Sequence, residues 1–462
     1  MKVVAWRVAV LGAGLAGLSA AHAIRRRAND LGQPIDLSVW EGNDRPGGQL
    51  RTTVEDGFVV EWGANAFRTG VGPTANLVAR LGLQDQQVHA DPAARRRYVF
   101  HGGHLHLLPS DPMSLLNFTP MSVAGRFRVM AEPFLAERVD HDESVHDYAA
   151  RHIGPEAAEV LLGTMVRGVY GGDAHLLSVD AAFPVMREME RDHRSLVIAG
   201  LAGMKERMRE RKTTWCFRGG MNVLIDALAD DLGDTLHLGR RAHAIARDAA
   251  DGYRLTAEDG SSERFDAVVL ALPPRPAADL LAALDRDVAD DLRAIPTGPI
   301  GMAALAFERS ALRGAPDGFG FLVAPGEDLP VLGVLIESNV FPHRAPADHV
   351  LLRVIQGGVA RPDLDDLGDE ELLRAALDAV DRAWGVAAPP VRTWVGRQER
   401  GIPQYVLGHL DRLERIEGRL RRLGGLHVAG NAYRGIAVGK LVDDAEHVAA
   451  SVWDGVLEPS VA

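Results

Sequence analysis

Three glycines, Gly12, Gly14 and Gly17, follow the apolar run Val8-Ala9-Val10-Leu11, and a carboxylate, Glu41, closes the next apolar run. A β-α-β unit that holds a dinucleotide needs this spacing. Gly12 permits the tight turn, Gly14 lets the backbone approach a pyrophosphate, and Gly17 lets helix and strand pack closely. The partial positive charge of the helix N-terminus favours the pyrophosphate. Glu41 is placed to accept from a ribose hydroxyl pair, and an acid there disfavours a 2′-phosphate and hence NADP. Near the other end of the chain, Gly430-Asn431-Ala432-Tyr433-Arg434-Gly435-Ile436-Ala437-Val438-Gly439 forms a second glycine-rich turn between an apolar run and a helical one. Two such turns at opposite ends of the chain imply one large cofactor gripped by both. The cofactor of that kind to expect is FAD.

Shortly after Glu41 come Arg45, Gly47 and Gly48. This arrangement offers an arginine and free backbone amides to phosphates and to a ribityl chain. Cys216 could anchor a flavin covalently, but inside Trp215-Cys216-Phe217 it reads as a small buried hydrophobe, so the cofactor is expected to be non-covalent. His343 and His409 could act as bases, and each reads more simply as a structural histidine. No Ser-His-Asp or paired-carboxylate constellation appears and no metal site is expected, so no catalytic side chain is assigned. A flavin would carry the redox chemistry, and the protein would supply position and electrostatics.

The Glu-x-x-x-Arg-x-Gly-Gly arrangement resembles the second fingerprint of FAD oxidases of the amine-oxidase superfamily. Further pieces narrow the resemblance: Gly63-Ala64-Asn65-Ala66-Phe67-Arg68, Arg96-Arg97-Tyr98-Val99, Gly168-Val169-Tyr170-Gly171-Gly172-Asp173, Gly318-Phe319-Gly320-Phe321-Leu322 and Phe341-Pro342-His343-Arg344. With these, nearly the whole chain resembles the oxygen-dependent protoporphyrinogen oxidase family, including its coproporphyrinogen-oxidising relatives. Gly435 to Lys440 is similar to the plant-type flavin-contacting motif and departs from the form ending in Asp-Cys-Ile. The resemblance implies an α/β fold with mixed α+β parts. These are a Rossmann-type FAD/NAD(P)-binding domain of the p-hydroxybenzoate-hydroxylase type, a mixed-sheet substrate domain and a helical insertion. It implies six-electron aromatisation of a porphyrinogen, with molecular oxygen regenerating the flavin. Among site residues it implies Arg68 for a substrate propionate, Leu322 and Ile336 as slot walls, and Gly171 and Gly172 along the same cavity. Gly63, Ala64, Ala242, Gly430 and Val438 join the cofactor set. An amine or carotenoid oxidase on the same fold, and a flavin-binding scaffold without turnover, stay open as alternatives.

The elements that must position these residues follow from pattern. At 462 residues the chain should form two or three domains, at roughly 100–200 residues each. The formal net charge of −12 argues against nucleic acid as a partner. A single cysteine excludes a disulfide framework and fits a reducing, cytoplasmic setting. No export segment is expected, and no apolar window approaches the about 18 residues of a membrane span. Strands are expected at 8–11, 36–40, 253–257, 266–272 and 425–429, with a hairpin at 97–108 and a helix over 15–27. The cofactor domain is expected over 1–88, 212–275 and 424–462, and the substrate domain over 89–110 and 276–423. A helical segment is expected over 111–211. Within it, residues 111–139 mix apolar side chains with Arg126, Arg128 and Arg138. They read as a basic amphipathic helix that could lie peripherally on the inner membrane face. A homodimer stays open.

Overall fold

The computed structural model describes residues 5–68, 72–200, 202, 214–249 and 251–457. The expected helical stretch from 203 to 211 lies outside them. Five parallel strands build the first sheet, in the order Leu426–Val428, Ala267–Leu270, Trp6–Leu11, Ile35–Trp40, Leu236–His237. Strand Trp6–Leu11 is buried on both faces, as its unbroken apolar run requires. Val8 and Val10 face one core, with Leu18, Ile24 and Val448. Ala9 and Leu11 face another, with Tyr253, Phe265 and Leu420. Helix Leu15–Leu31 runs one turn beyond its expected end. It stops where Gly32 takes the left-handed conformation and its N–H closes on the last turn.

A second, mixed sheet of seven strands runs Arg392–Pro403, Thr297–Glu308, His349–Gly357, Gly333–Ile336, Gly320–Val323, Arg97–His101, His104–Leu107. Helix Asp369–Trp384 covers one face of it. The other face looks toward the first sheet. Helices fill Pro112 to His193, and they include a six-residue π-helical turn at Ala158–Gly163. The mixed α/β class and the Rossmann-type parallel sheet are as expected.

One expectation fails here. Residues 111–139 do not form one amphipathic helix. They form three short ones, Pro112–Leu116, Val123–Met130 and Glu132–Leu135. The breaks fall beside Pro120 and Pro133, and the arginines bond carbonyls. Arg126 donates to the Leu116 carbonyl. Arg128 donates to the carbonyls of His152 and Arg151 at 2.7 and 2.8 Å. Arg138 donates to the Arg191 carbonyl at 2.6 Å. Leu115, Phe118 and Met121 are buried, whereas Met113, Val123, Phe127 and Phe134 stay exposed, Phe134 at 90%. No helix among the described residues is long and apolar enough to cross a membrane.

Candidate functional site

One continuous cavity of about 1410 Å³ runs between the two sheets. Ordinary small-molecule pockets span roughly 300–1,000 Å³, so this one has room for a large cofactor and a second ligand.

At the parallel-sheet end, the glycines do what their spacing implies. Gly12 has φ 101°, and a Cβ there would sit 2.5 Å from the Ala271 carbonyl oxygen. A Cβ on Gly17 would sit 1.9 Å from the Gly12 oxygen, so only glycine lets this helix approach its strand. Gly14 caps helix Leu15–Leu31 with no side chain across its first turn. Those amides are thus open to an anion. Glu41 is buried and lines the cavity. It accepts the Ala13 N–H at 2.8 Å through Oε2, and the Asn43 N–H at 2.9 Å through Oε1. Glu41 therefore fixes the glycine turn before any ribose arrives. Gly47 bridges to Gly14, and its N–H donates to the Ala13 carbonyl at 2.8 Å. Gly48, Gly63, Ala64, Ala242, Gly430 and Val438 all line the same cavity. Arg45 does not. It is exposed, and it donates to the carbonyls of Pro46 and Gly48, both at 3.1 Å. Its guanidinium is spent on its own turn, outside the residues that line the cavity.

Beyond the glycines the walls turn apolar. Leu161, Met165, Phe319, Leu322, Leu332 and Leu335 face one another there. Leu322 and Gly171, both expected along the slot, line the cavity. Ile336 does not: it is fully buried, packed in the core under helix Asp369–Trp384. Side chains alternate along a strand, so Leu335 takes the wall position and Ile336 the core one. Gly172 likewise stands behind the wall, where a Cβ would meet Gln404 Oε1 at 2.5 Å. Its role is packing.

Arg68 lines this part of the cavity and is exposed. Sequence pattern does not single out its neighbour Arg97, which lines the cavity beside it and is likewise exposed. Arg97 lies over the Phe319 ring, 4.9 Å from its centre. Desolvation by the walls, and then the charge of Arg68, push the Arg97 guanidinium below its ordinary value. Among the described residues no carboxylate pairs with either arginine. The adjacent Arg96 instead pairs with Asp317 at 2.8 Å. The signal for Arg97 is present in Arg95-Arg96-Arg97, but the phase of the strand is not.

Behind Gly63 to Asn65 lies a buried charged cluster. Arg344 bonds Glu337 and donates to the Asn65 carbonyl at 2.6 Å. Arg353 pairs with Glu337 at 2.8 Å and donates to the Gly63 carbonyl at 2.7 Å. Burial raises the Glu337 carboxyl, but the charges of Arg353 and Arg344 outweigh it and hold it below its usual range. Glu61, also buried, is raised, because burial there exceeds the help it gets from Arg344.

Neither candidate base faces the cavity. Burial lowers His343 to about 4 and His409 to about 4, so both are neutral at pH 7. Tyr433 is the aromatic that an amine oxidase could have placed beside a flavin. It is buried in one core with Leu426 and Val428 and does not line the cavity. Cys216 is fully buried beside Val340 and Phe341, and burial pushes its thiol up to about 12. It cannot reach a cofactor in the cavity.

Residues 15–452 match the family of flavin-containing amine oxidoreductases. The chain belongs to that family. It is 31% identical to the chloroplastic protoporphyrinogen oxidase of Oryza sativa subsp. japonica, over 96% of this chain and 88% of the relative. It is 31% identical to the coproporphyrinogen III oxidase of Propionibacterium freudenreichii subsp. freudenreichii, over 97% and 91%. A crystal structure from Exiguobacterium sp. 255-15 shares the fold with a TM-score of 0.86, at 23% identity over 98% of this chain and 99% of that one. The cyclohexylamine oxidase of Brevibacterium oxydans shares it at 0.71, with 21% identity over 98% and 100%. The protein is a flavin-dependent oxidoreductase, and its cofactor is FAD. The cavity fits that cofactor. It offers an uncapped helix N-terminus for the pyrophosphate and a buried acid for the ribose. The open side of Gly14, where a Cβ would meet only Gly48 Cα at 3.9 Å, gives close backbone approach.

Proposed function

We propose that this flavoenzyme oxidises a porphyrinogen, protoporphyrinogen IX or coproporphyrinogen III, to the porphyrin with oxygen as electron acceptor. The observation that carries the reading is the apolar slot with Arg68 and Arg97 together at one edge and no carboxylate partner for either among the described residues. A porphyrinogen is an apolar disc with carboxylate tails. Such a ligand needs apolar walls for the disc and cations for the tails. The names of the relatives support the same substrate class. When bound, FAD supplies a two-electron acceptor that oxygen can regenerate. The chain's own residues do the rest. Arg97 and Arg68 hold the carboxylates, and Leu322 and Leu335 press on the disc. Leu161 and Met165, from the helical segment, close the slot and exclude water.

An aerobic assay that follows porphyrin fluorescence with each porphyrinogen, beside a panel of primary amines, tests the reading. Porphyrin formation supports it. Amine turnover without porphyrin formation would place the enzyme with the amine oxidases. Bound FAD with no turnover of any substrate would leave a scaffold.

We also read the exposed Met113, Val123, Phe127 and Phe134 as a face for peripheral contact with a lipid surface, in a cytoplasmic enzyme at the inner membrane. Exposed apolar side chains mark an interaction site where they lie together, and these four belong to three successive short helices. Because the nearby arginines bond carbonyls, the contact should be apolar and little affected by salt. Flotation with liposomes at low and high salt tests it. A protein that stays with the soluble fraction but runs as a dimer would assign the face to a second copy.

A further inference from the structure

Residues 61 to 65 form the cavity wall between the two sheets, and side chains of the seven-stranded sheet region hold almost every carbonyl along them. Arg353 takes the Glu61 and Gly63 carbonyls at 3.2 and 2.7 Å. Gln398 takes the Trp62 carbonyl at 2.7 Å. Arg344 takes the Asn65 carbonyl at 2.6 Å. The N–H groups of Gly63, Ala64 and Asn65 have no protein acceptor among the described residues. In a trans peptide the N–H points opposite to the carbonyl of the residue before it. The held Trp62 and Gly63 carbonyls therefore fix where the Gly63 and Ala64 donors point. Arg353 is 4% exposed, yet it lines the cavity. Strand alternation puts it there: Leu351, Arg353 and Ile355 share one face of His349–Gly357, and Val350, Leu352 and Val354 pack in the opposite core.

We propose that Arg353 is a positioning residue for the flavin, holding the Gly63–Ala64 backbone as a ledge of donors and setting a guanidinium charge at the wall behind it. Glu337 orients the guanidinium at 2.8 Å, and Arg344 and Asn65 orient Glu337 in turn. A fixed cation at that wall favours the electron-rich reduced flavin over the oxidised one. Lysine carries the charge but cannot at once hold the two carbonyls, which Arg353 takes through Nη1, and the Glu337 carboxylate, which faces Nε.

The test uses Arg353→Lys and Arg353→Met holoenzymes, without porphyrinogen, so that it is independent of the substrate reading. Apoprotein titrated with FAD should show about a tenfold loss of affinity in both variants, because neither makes all three contacts. The flavin midpoint potential should fall in Arg353→Met by about 30 mV, which is a tenfold change for a two-electron couple. Arg353→Lys should recover most of that potential. A merely structural arginine would lower thermal stability and leave the potential of the folded holoenzyme where it was. If Arg353→Met does not fold, Arg353→Lys decides through its FAD affinity. Wild-type affinity in Arg353→Lys, or wild-type potential in a folded Arg353→Met, overturns the proposal.

Discussion

Arg97 and Arg68 are both exposed at the edge of the slot, but Arg97 also lies over the Phe319 ring and is partly desolvated by the walls. The losses on replacing each by alanine should therefore differ. A charged hydrogen bond in a partly dry site is worth about 1.5–3 kcal/mol. At about 1.4 kcal/mol per factor of ten, Arg97→Ala should lower kcat/KM by about 10–150-fold. An exposed ion pair is worth about 0.2–1 kcal/mol, so Arg68→Ala should cost less than about 6-fold. The fall should appear mainly in KM, because a carboxylate tail held away from the reacting carbon changes little on the way to the transition state. The two effects should not add, since the Arg68 charge disfavours Arg97 in its present state. The assay is steady-state porphyrin fluorescence, with FAD content measured in each variant. An Arg97→Ala enzyme with normal FAD and wild-type KM for both porphyrinogens would refute the placement of the carboxylate edge.

Gly17→Ala should overpack the helix against the turn at 1.9 Å from the Gly12 oxygen, costing about 1–3 kcal/mol, read as a lower Tm and lost FAD. Glu41→Gln should weaken FAD binding by about 10–150-fold, the worth of a charged hydrogen bond; calorimetry with unchanged affinity would contradict it. Ile336→Ala should cost about 2–5 kcal/mol of stability with KM unaltered, whereas Leu335→Trp should raise KM with little loss of stability. Denaturation midpoints at pH 7 and pH 5 test the buried histidines. His409 has its folded value lowered from 6.5 to about 4, so its contribution is complete above about pH 6.5 and is lost as pH falls toward 4. The slope there is about 1.4 kcal/mol per pH unit for each such group. His409→Phe should flatten the pH dependence, and an unchanged slope would rule His409 out.

The glycine turn, Glu41 and the parallel strands are legible because backbone geometry is written locally: a tight turn at φ 101° admits glycine and little else. Phase along a strand is not legible where every residue is of one kind. Gly333-Val334-Leu335-Ile336 has no polar residue to mark its outer face, and the expected wall position falls one residue off. Arg95-Arg96-Arg97 hides its cavity-facing member for the same reason. In 111–139 the helix breaks beside Pro120 and Pro133 are visible, but the arginines' carbonyl acceptors at 151, 152 and 191 are distant in sequence, so where those cations are spent is not. Arg353 is the overlooked signal. An arginine inside Val350-Leu351-Leu352-Arg353-Val354-Ile355 has to be paired or functional, since burying an unpaired charge is prohibitive.

The sign of the slot's charge separates the competing substrates more sharply than its shape does. An amine is an ammonium ion at neutral pH, a carotenoid carries no charge, and a porphyrinogen brings carboxylates. Two unit charges about 6 Å apart interact by about 0.7 kcal/mol in water and about 2.8 kcal/mol at an effective dielectric constant of about 20. Arg68 and Arg97 therefore repel an ammonium ion by an amount comparable to what they gain on a carboxylate. The whole chain carries a net charge of −12, which would suit a cation, and the slot reverses it locally with two arginines that no described carboxylate neutralises. With such a pair unneutralised beside apolar walls, the Arg97 charge is disfavoured by desolvation and by Arg68, although both side chains are exposed. The cost is recovered when anions arrive, which makes the pair a feature of binding and gives stability of the free fold no reason to retain it.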